Sequence, residues 1–298
     1  MSGLIPTYRG AVNAWECDRM GHMNVQFYLG KSTEALGFLR LAMGLTPAAI
    51  RSRRLTLLPV ADRIHFKREL RAGDIFTMAS GVREVTASDC RTYTEIVNSE
   101  TGKLAASIER RLQPFDLASE SYCAWPADIH AGAERLAAAW DGPPAPEPQG
   151  PPLPPPDAPG SFETYRSSIN SWEVDENGHA SLRYHVHRFS NAMSHLWTRV
   201  GLTGAVRKAH SLGVAALDYD VQYHRPLKVG DSLIIRSALI ELGEKRLRIC
   251  HHMQEADSGA LVTSIGIVLT LFDLVQRKSV PMPPVIRAAA LRFCLPAG

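Results

Sequence analysis

The sequence predicts an α+β protein built from two tandem copies of one domain, each a long helix packed on an antiparallel sheet. Three observations support this prediction. The second half of the chain repeats the first without a gap, a proline-rich segment lies between the copies, and each copy has the same order of strand-like and helix-like stretches. Two copies at so long a spacing indicate duplicated domains rather than a solenoid.

The two copies share identical residues at one fixed spacing. Trp15 and Trp172 lie 172 − 15 = 157 positions apart, and we expect both to be buried in the cores. The match continues without a gap as far as Phe115 and Phe272. At the same spacing the following residues also match: Glu16 with Glu173, Asp18 with Asp175, Gly21 with Gly178 and His22 with His179.

A proline-rich segment at residues 142–160 separates the copies. It holds half of the chain's 20 prolines. Proline lacks a backbone N–H and fixes φ, so this segment fits neither a helix interior nor a sheet ladder. We therefore predict an extended, semi-rigid connector. The expected boundaries are a first domain at 1–118, a helix plus the linker at 119–160, and a second domain with a C-terminal helix at 161–298.

Each copy has the same order of elements. In the first copy, alternating apolar residues predict a strand at 7–16, and apolar residues at three- and four-residue steps predict a helix at 24–43. Gly44 stands where a C-cap would end that helix. Short turns separate the later strands, which should therefore be antiparallel neighbours. Two more helices are predicted at 126–140 and 284–294, and we expect them to lie outside the repeat. The later strand-like runs are 57–66, 75–85, 91–98 and 103–115.

The composition excludes several classes of protein. Apolar residues make up 45% and charged residues 21% of the chain, as in a globular protein and not in a disordered one. The net charge of +3 is too balanced for a nucleic-acid binder. No apolar run is long enough to cross a membrane, and the first residues do not look like a secretory signal. The five cysteines are scattered, so we expect neither disulfides nor a zinc site, and a cytoplasmic location.

The turn between the first strand and the helix carries the most specific motif. Residues 15–29 read WECDRMGHMNVQFYL. This stretch resembles the opening of the 4-hydroxybenzoyl-CoA thioesterase-like and acyl-carrier-protein (ACP) thioesterase families, which carry D-x-x-G-H-x-N-N-x-x-Y-L or a close relative. The first copy departs from that pattern at Val25, where a second Asn is common. The resemblance implies the hotdog fold, a long helix wrapped by an antiparallel sheet, in both copies.

The second copy departs further from the family pattern. Residues 180–182 read ASL, and His185 replaces the tyrosine. This copy has Asn177 two residues before His179, and D-x-N-x-H resembles the catalytic turn of plant ACP thioesterases. Because a hotdog sheet usually extends its edge across a dimer, the resemblance also implies that the two fused copies pair as an intramolecular dimer.

The resemblance implies hydrolysis of a thioester, a reaction that passes through an oxyanion. An Asp before a helix could act as general base for water or as nucleophile on the acyl carbon. Turn amides and the positive end of the helix could stabilise the oxyanion. A His could orient the carboxylate or donate to the thioester oxygen, and an Asn could hold the attacking water. The candidate catalytic residues are Asp18, His22, Asn24, Asp175, Asn177 and His179, and the candidate oxyanion residues are Gly21 and Gly178.

This chemistry requires no metal and no cofactor, because coenzyme A (CoA) or ACP is part of the substrate. The expected partners are acyl-CoA or acyl-ACP, without nucleic acid or membrane. The carrier, the length and polarity of the acyl chain, and any further assembly of these chains into a homo-oligomer are left open by the sequence.

Two other functions stay open at this stage. A hotdog hydratase or dehydratase would resemble D-x-N-P-x-H, one residue longer between Asp and His than here. A non-catalytic protein could instead bind acyl thioesters without turnover. Each Asp could also be only a helix N-cap that accepts from backbone amides. Because the copies have diverged around this turn, we expect one functional centre and one relic, with a preference for the first copy and Asp18.

Overall fold

The computed structural model describes residues 3–18, 20–145 and 151–295. The chain divides into two compact units, Met1–Gln149 and Gly150–Gly298, called unit 1 and unit 2 below. The division falls inside the proline-rich segment. None of the helices in the described ranges is both long and apolar enough to cross a membrane.

Unit 1 is an antiparallel sheet packed on one long helix. Its strand order is β1-β3-β4-β5-β2, with the short β6 beside β5, and every pair is antiparallel. The elements in chain order are β1 (Ile5–Ala11), α1 (Val25–Ala42), α2 (Pro47–Arg53), β2 (Leu55–Phe66), β3 (Ile75–Val85), β4 (Cys90–Asn98), β5 (Leu104–Asp116), β6 (Ser121–Tyr122) and α3 (Ala127–Ala138).

Unit 2 has the same architecture. Its strand order is β7-β9-β10-β11-β8, with the short β12 beside β11, and again every pair is antiparallel. The elements in chain order are β7 (Phe162–Ser168), α4 (Leu182–Arg199), α5 (Gly204–Ala209), β8 (Leu212–Tyr223), β9 (Ser232–Leu242), β10 (Arg246–Glu255), β11 (Leu261–Asp273), β12 (Lys278–Val280) and α6 (Pro284–Leu291).

The repeat extends further than the sequence indicates. Helix α3 begins at Ala127 and α6 begins at Pro284, and 284 − 127 is again 157. The expectation that these two helices lie outside the repeat is therefore wrong. Their sequences have diverged, and only their positions in the fold reveal that they correspond.

The long helices end as predicted. Gly44 has a φ of +96°, in the left-handed region that favours glycine. The Leu45 N–H donates to the Arg40 carbonyl over 2.9 Å, which gives a Schellman C-cap. In unit 2, Gly201 has a φ of +83° and Leu202 donates to the Trp197 carbonyl over 2.9 Å.

The core of unit 1 lies between α1, the sheet and α3. Because α1 is apolar at three- and four-residue steps, one face of the helix is buried. Buried residues of this core cluster include Leu36, Leu39 and Met43 from α1, Val82, Cys90, Leu112 and Phe115 from the sheet, and Ile129 and Ala133 from α3.

The prediction that the two repeated tryptophans are buried is wrong. Trp15 and Trp172 are 76% and 72% exposed. Each lies in a one-turn 3-10 helix, Ala14–Glu16 in unit 1 and Ser171–Glu173 in unit 2. Successive side chains in such a turn point about 120° apart, and it is the glutamate that points inward.

Candidate functional site

The motif that the sequence singles out forms a tight loop just before α1. Cys17 and Met23 form an isolated antiparallel bridge that closes this loop. The Asp18 N–H donates to the His22 carbonyl over 2.8 Å, and the Gly21 N–H donates to the Asp18 carbonyl over 3.0 Å. Gly21 has a φ of +76°, so a left-handed residue is required here. The loop is therefore held together by its own backbone.

The Asp18 carboxylate also holds the loop. Its Oδ1 accepts hydrogen bonds from the N–H groups of Met20 and His22, at 2.8 and 3.3 Å. Asp18 is exposed, and neither of these two bonds uses its Oδ2. One carboxylate oxygen thus has a structural role within the loop, but Asp18 is not the helix N-cap that the sequence allowed, because Asn24 caps α1.

Unit 2 contains the same loop. The Asp175 Oδ1 accepts from the N–H groups of Asn177 and His179 at 2.9 and 3.0 Å. Gly178, with a φ of +82°, donates to the Asp175 carbonyl over 3.0 Å. The recurrence of Asp and Gly in both copies is therefore explained by folding alone, whereas the histidine contributes only its backbone N–H to these contacts, and the catalytic copy has to be identified from other features.

Each loop leads directly into the N-terminus of a long helix. Asn24 is the N-cap of α1, and its Oδ1 accepts from the Gln26 N–H over 3.1 Å. Ser181 is the N-cap of α4 and makes no side-chain capping bond. The positive end of each helix dipole lies at this point, which suits it to stabilise an anion.

The two units differ in the surroundings of the histidine. In unit 1 the His22 Nε2 lies 3.0 Å from Glu69 Oε2, and the His22 side chain is 16% exposed. Arg71 Nη2 lies 3.2 Å from the same nitrogen and donates to Glu69 Oε2 over 3.1 Å. A histidine, a carboxylate and a guanidinium thus form one contact triangle beside the loop.

Backbone contacts set the position of this triangle. Leu70, which is fully buried between Glu69 and Arg71 in sequence, accepts from the Met23 N–H over 2.7 Å. His22 and Arg71 form an isolated β-bridge. The Leu70 backbone also bonds Tyr28 of α1, whose pKa is raised, chiefly by burial. The segment between β2 and β3 is therefore fastened to both the loop and the helix.

Unit 2 keeps the backbone contact and loses the carboxylate. The Ala180 N–H donates to the Leu227 carbonyl over 2.7 Å, as Met23 does to Leu70. The residues flanking Leu227 are Pro226 and Lys228. His179 is buried, with 3% exposure. The imidazole in unit 2 is thus enclosed, whereas the imidazole in unit 1 is half-buried beside ionised groups.

A buried ion pair fastens each helix to the loop region. In unit 1, Lys31 Nζ lies 2.9 Å from Glu16 Oε1. Burial alone would lower the pKa of Lys31, but its hydrogen bonds to Glu16 and Tyr8 raise it above its usual value. In unit 2, Arg188 Nη2 lies 2.7 Å from Glu173 Oε2. Burial alone would raise the pKa of Glu173, but the bond to Arg188 keeps it below its usual value. The helix N-termini are therefore rigidly placed.

The sequence-predicted residues come together within each unit. Asp18, His22 and Asn24 lie in one loop and helix cap of unit 1. The corresponding residues of unit 2 do the same: Asp175, Asn177 and His179. The N–H groups of Gly21 and Gly178, predicted to face an oxyanion, donate instead within their own loops. Whether any of these residues is catalytic stays a prediction.

Sequence reasoning missed Glu69 and Arg71. A signal was available, because alignment of the two copies places Glu69 opposite Pro226 next to an otherwise matching leucine. A carboxylate in one copy and a proline in the other marks a difference between the two sites. Across residues 3–18, 20–145 and 151–295, no group of three or more His, Cys, Asp or Glu side chains is arranged to hold a metal ion.

Comparison with known families identifies the relatives of this chain. The family model of the thioesterase-like superfamily matches residues 12–139 and 169–290, which is most of both units. The chain belongs to this superfamily. The expected enzyme class, a thioester hydrolase, is thereby confirmed at the level of the superfamily. A search of curated proteins by sequence found no significant match.

Solved structures of proteins named as thioesterases share this fold. A putative oleoyl thioesterase from Lactobacillus plantarum has a TM-score of 0.68 at 14% identity, covering 93% of this chain and 95% of its own. The 12:0-ACP thioesterase from Umbellularia californica has a TM-score of 0.68 at 12% identity, covering 90% and 94%. An acyl-ACP thioesterase from Bacteroides thetaiotaomicron has a TM-score of 0.67 at 13% identity, covering 90% and 98%. The predicted tandem double-hotdog fold is confirmed.

Proposed function

We propose that this thioesterase-superfamily member hydrolyses an acyl thioester carried on CoA or on ACP, and that its working site is the Asp18–His22 loop of unit 1. One observation carries the choice of unit. The His22 imidazole is half-buried and lies beside Glu69 and Arg71, whereas the His179 imidazole is enclosed and the position that matches Glu69 is Pro226.

The proposed reaction begins with attack of water on the acyl carbon. A base in the loop takes one proton from the water while its oxygen bonds to the carbon, and the carbonyl electrons move to the carbonyl oxygen. The N-terminus of α1 stabilises the resulting oxyanion through its dipole. When the oxyanion collapses, the C–S bond breaks, and the thiolate takes the proton from the protonated base. The products are the free acid and the free thiol.

Asp18 contributes to this reaction in two ways. Through Oδ1 it fixes the loop, and through its negative charge it favours the protonated form of a neighbouring base. Asn24 caps the helix that faces the oxyanion. The proposed chemistry uses no metal and no cofactor, because all groups that it needs are side chains and a helix end.

The carrier and the location are also part of the proposal. Two of the structurally similar two-domain proteins are named for acyl-ACP substrates, so acyl-ACP belongs in the substrate panel beside acyl-CoA. All five cysteines are free, which supports a cytoplasmic location.

A panel of acyl-CoA and acyl-ACP substrates tests the function. Purified protein is mixed with short, medium and long acyl chains on each carrier, and the released thiol is measured. We expect saturable turnover on at least one carrier. The Asp18→Asn/His22→Gln double variant, checked for folding by circular dichroism, should lose at least about 100-fold in kcat/KM. Absence of turnover on the whole panel, or wild-type turnover in the double variant, would contradict the proposal.

A further inference from the structure

Helix α1 exposes apolar side chains at positions where α4 is polar. Phe38 and Leu41 lie one turn apart on α1 and are 59% and 50% exposed. The matching residues of α4 are His195 and Thr198, which are also exposed. Contiguous exposed apolar side chains are typical of interaction surfaces. Unit 1 therefore has a candidate interaction surface on its long helix that unit 2 lacks.

An open groove of about 610 Å³ lies between this part of α1 and strand β1. Its lining includes Glu34 and Phe38 from α1, Pro6 and Arg9 from β1, and Met78 from β3. A groove of this volume is as large as many ligand pockets, so it has room for side chains of another molecule. The same surface thus presents an exposed aromatic side chain and a space that can receive one.

Two exposed charges in the groove have no ionic partner. Arg9 and Glu34 both line it, and neither makes an ion pair with any residue that the structure describes. In unit 2 the residue matching Arg9 is Arg166, which donates two hydrogen bonds of 2.9 Å to Glu163. Unit 1 has Pro6 at the position of Glu163. Arg9 therefore lacks the local partner that its counterpart has.

The sheet edge beside the groove is protected against extension. β1 stands at the end of the strand order, and its pairing with β3 shifts register between Pro6 and Tyr8. Proline and β-bulges are features that keep an edge strand from pairing with a further strand. A partner is therefore expected to dock on the helix and the groove and not to add a strand to β1.

We propose that the groove surface, formed by α1 and β1 of unit 1, joins two copies of this chain about a twofold axis. In such a contact both copies use the same patch, which must be complementary to itself. Phe38 of each copy enters the groove of the other, and Arg9 of each copy pairs with Glu34 of the other. A strongly acidic or strongly basic partner would instead meet a like charge in the same groove. This proposal does not depend on the proposed function.

Sedimentation velocity of the full-length protein tests the proposal without any substrate. The wild type should be dimeric at the upper end of a concentration series from about 1 to 100 μM. Phe38→Glu should raise the Kd of the dimer at least about 30-fold, because it replaces the central apolar contact with a charge. Since Phe38 is exposed, this variant should fold like the wild type, which circular dichroism checks. A wild type that is monomeric over the whole series would overturn the proposal.

A charge swap tests the pairing of Arg9 with Glu34. Arg9→Glu places two carboxylates opposite each other across the contact and should raise the Kd by about 10-fold or more. The double variant Arg9→Glu/Glu34→Arg restores opposite charges and should bring the Kd back to within a few-fold of the wild type. A double variant that binds no more tightly than Arg9→Glu would show that the two charges do not face each other, and would overturn the proposed contact.

Unit 2 provides the matched controls. His195→Glu changes the position that matches Phe38, and Arg166→Glu changes the one that matches Arg9, so both should leave the Kd unchanged. Equal effects of Phe38→Glu and His195→Glu would overturn the proposal.

Hydrogen exchange at low and high protein concentration locates the contact independently of any variant. In the dimer, β1 and the second half of α1 should exchange more slowly, because the contact covers them. The corresponding elements of unit 2, β7 and α4, should exchange equally at both concentrations. Protection that appears only in other elements would overturn the proposal.

Discussion

The two units share one backbone fold, but different side chains fill their interiors. Loops, helix ends and strand orders correspond at a constant spacing, yet the side chains at three contacting positions under the long helix have changed together. Unit 1 has Ser32, Asp62 and Arg110, and the same positions in unit 2 hold Phe189, Tyr219 and Ile267. Duplication thus preserved the backbone contacts and left the buried chemistry of each unit free to change as a set.

The polar set of unit 1 and the apolar set of unit 2 differ in how strongly each set depends on any one of its residues. Arg110 bonds Asp62 through two hydrogen bonds of 2.6 and 2.9 Å, and also reaches Ser32 Oγ at 3.0 Å. A cavity of about 10 Å³, enough for one water molecule, is lined in part by Ser32 and Arg110. In unit 2, Phe189 and Ile267 fill the corresponding space and are 1% and 0% exposed. Loss of one residue from the charged set leaves a buried charge without its partner, whereas loss of one residue from the apolar set removes contact area.

The largest difference that we predict between the units is in catalysis. His22→Gln should lower kcat/KM by about 10²- to 10⁴-fold, because it removes the imidazole of the proposed working site. His179→Gln, at the matching position of unit 2, should stay within a few-fold of wild type. Both variants are compared on the best substrate of the panel, with folding checked by circular dichroism. A larger loss from the unit 2 variant would move the working site to unit 2.

The second difference concerns stability. Arg110→Met should destabilise unit 1 by about 3–5 kcal/mol, because it leaves the Asp62 carboxylate buried without its partner. The triple variant Ser32→Phe/Asp62→Tyr/Arg110→Ile, which installs the residues of unit 2, should recover much of that loss. Urea unfolding, followed by hydrogen exchange so that each unit is observed separately, measures both changes.

Arg53→Met provides the control for the buried pair. Arg53 bonds Asp128 through two hydrogen bonds, but both side chains are about half exposed, so the variant should cost no more than about 1 kcal/mol. If Arg110→Met costs as little as Arg53→Met, the buried pair does not stabilise unit 1 in the way that its geometry indicates.

Much of the fold was predictable because the duplicated sequence contains the pattern of each element twice. Shifting the helix predicted at 24–43 by the repeat spacing of 157 residues gives 181–200 for the second copy, and the structure has Leu182–Arg199. Short helices such as α2 (Pro47–Arg53) were missed, since seven residues carry little periodicity. The exposure of Trp15 was also missed, because the sequence does not show which residue of a 3-10 turn points inward.

The site was predictable only in part. The Asp18–His22 loop is local in sequence, so its motif was visible, whereas Glu69 reaches His22 across 47 positions. That contact depends on the Leu70–Met23 backbone bond, which only the folded chain shows. The same holds for a row of buried hydrogen bonds in unit 2, in which Ser237 Oγ contacts both Thr164 Oγ1 and His251 Nδ1. These three residues lie on three different strands.

The smallest difference that we predict is a response to acid. Burial lowers the pKa of His185 to about 4 and that of His251 to about 3. Unit 1 holds Tyr28 and Thr94 at these positions, and neither side chain takes up a proton in this range. Because an unfolded histidine has a pKa of about 6.5, the unfolded state binds more protons than the folded one between about pH 6.5 and about pH 3.

Unit 2 should therefore lose stability as the pH falls through that window, by up to a few kcal/mol, while unit 1 lacks this contribution. The His251 Nδ1 contacts Ser237 Oγ, and its ring stacks on Phe189 at 5.5 Å, so His251→Thr, which installs the unit 1 residue, also removes packing. Its free energy of unfolding should be lower at neutral pH and should depend less steeply on pH. His195→Gln, at an exposed position of α4, should leave the slope unchanged. Hydrogen exchange at pH 7 and pH 4.5 compares the units, and an equal slope in His251→Thr and wild type would show that this histidine does not make unit 2 acid-sensitive.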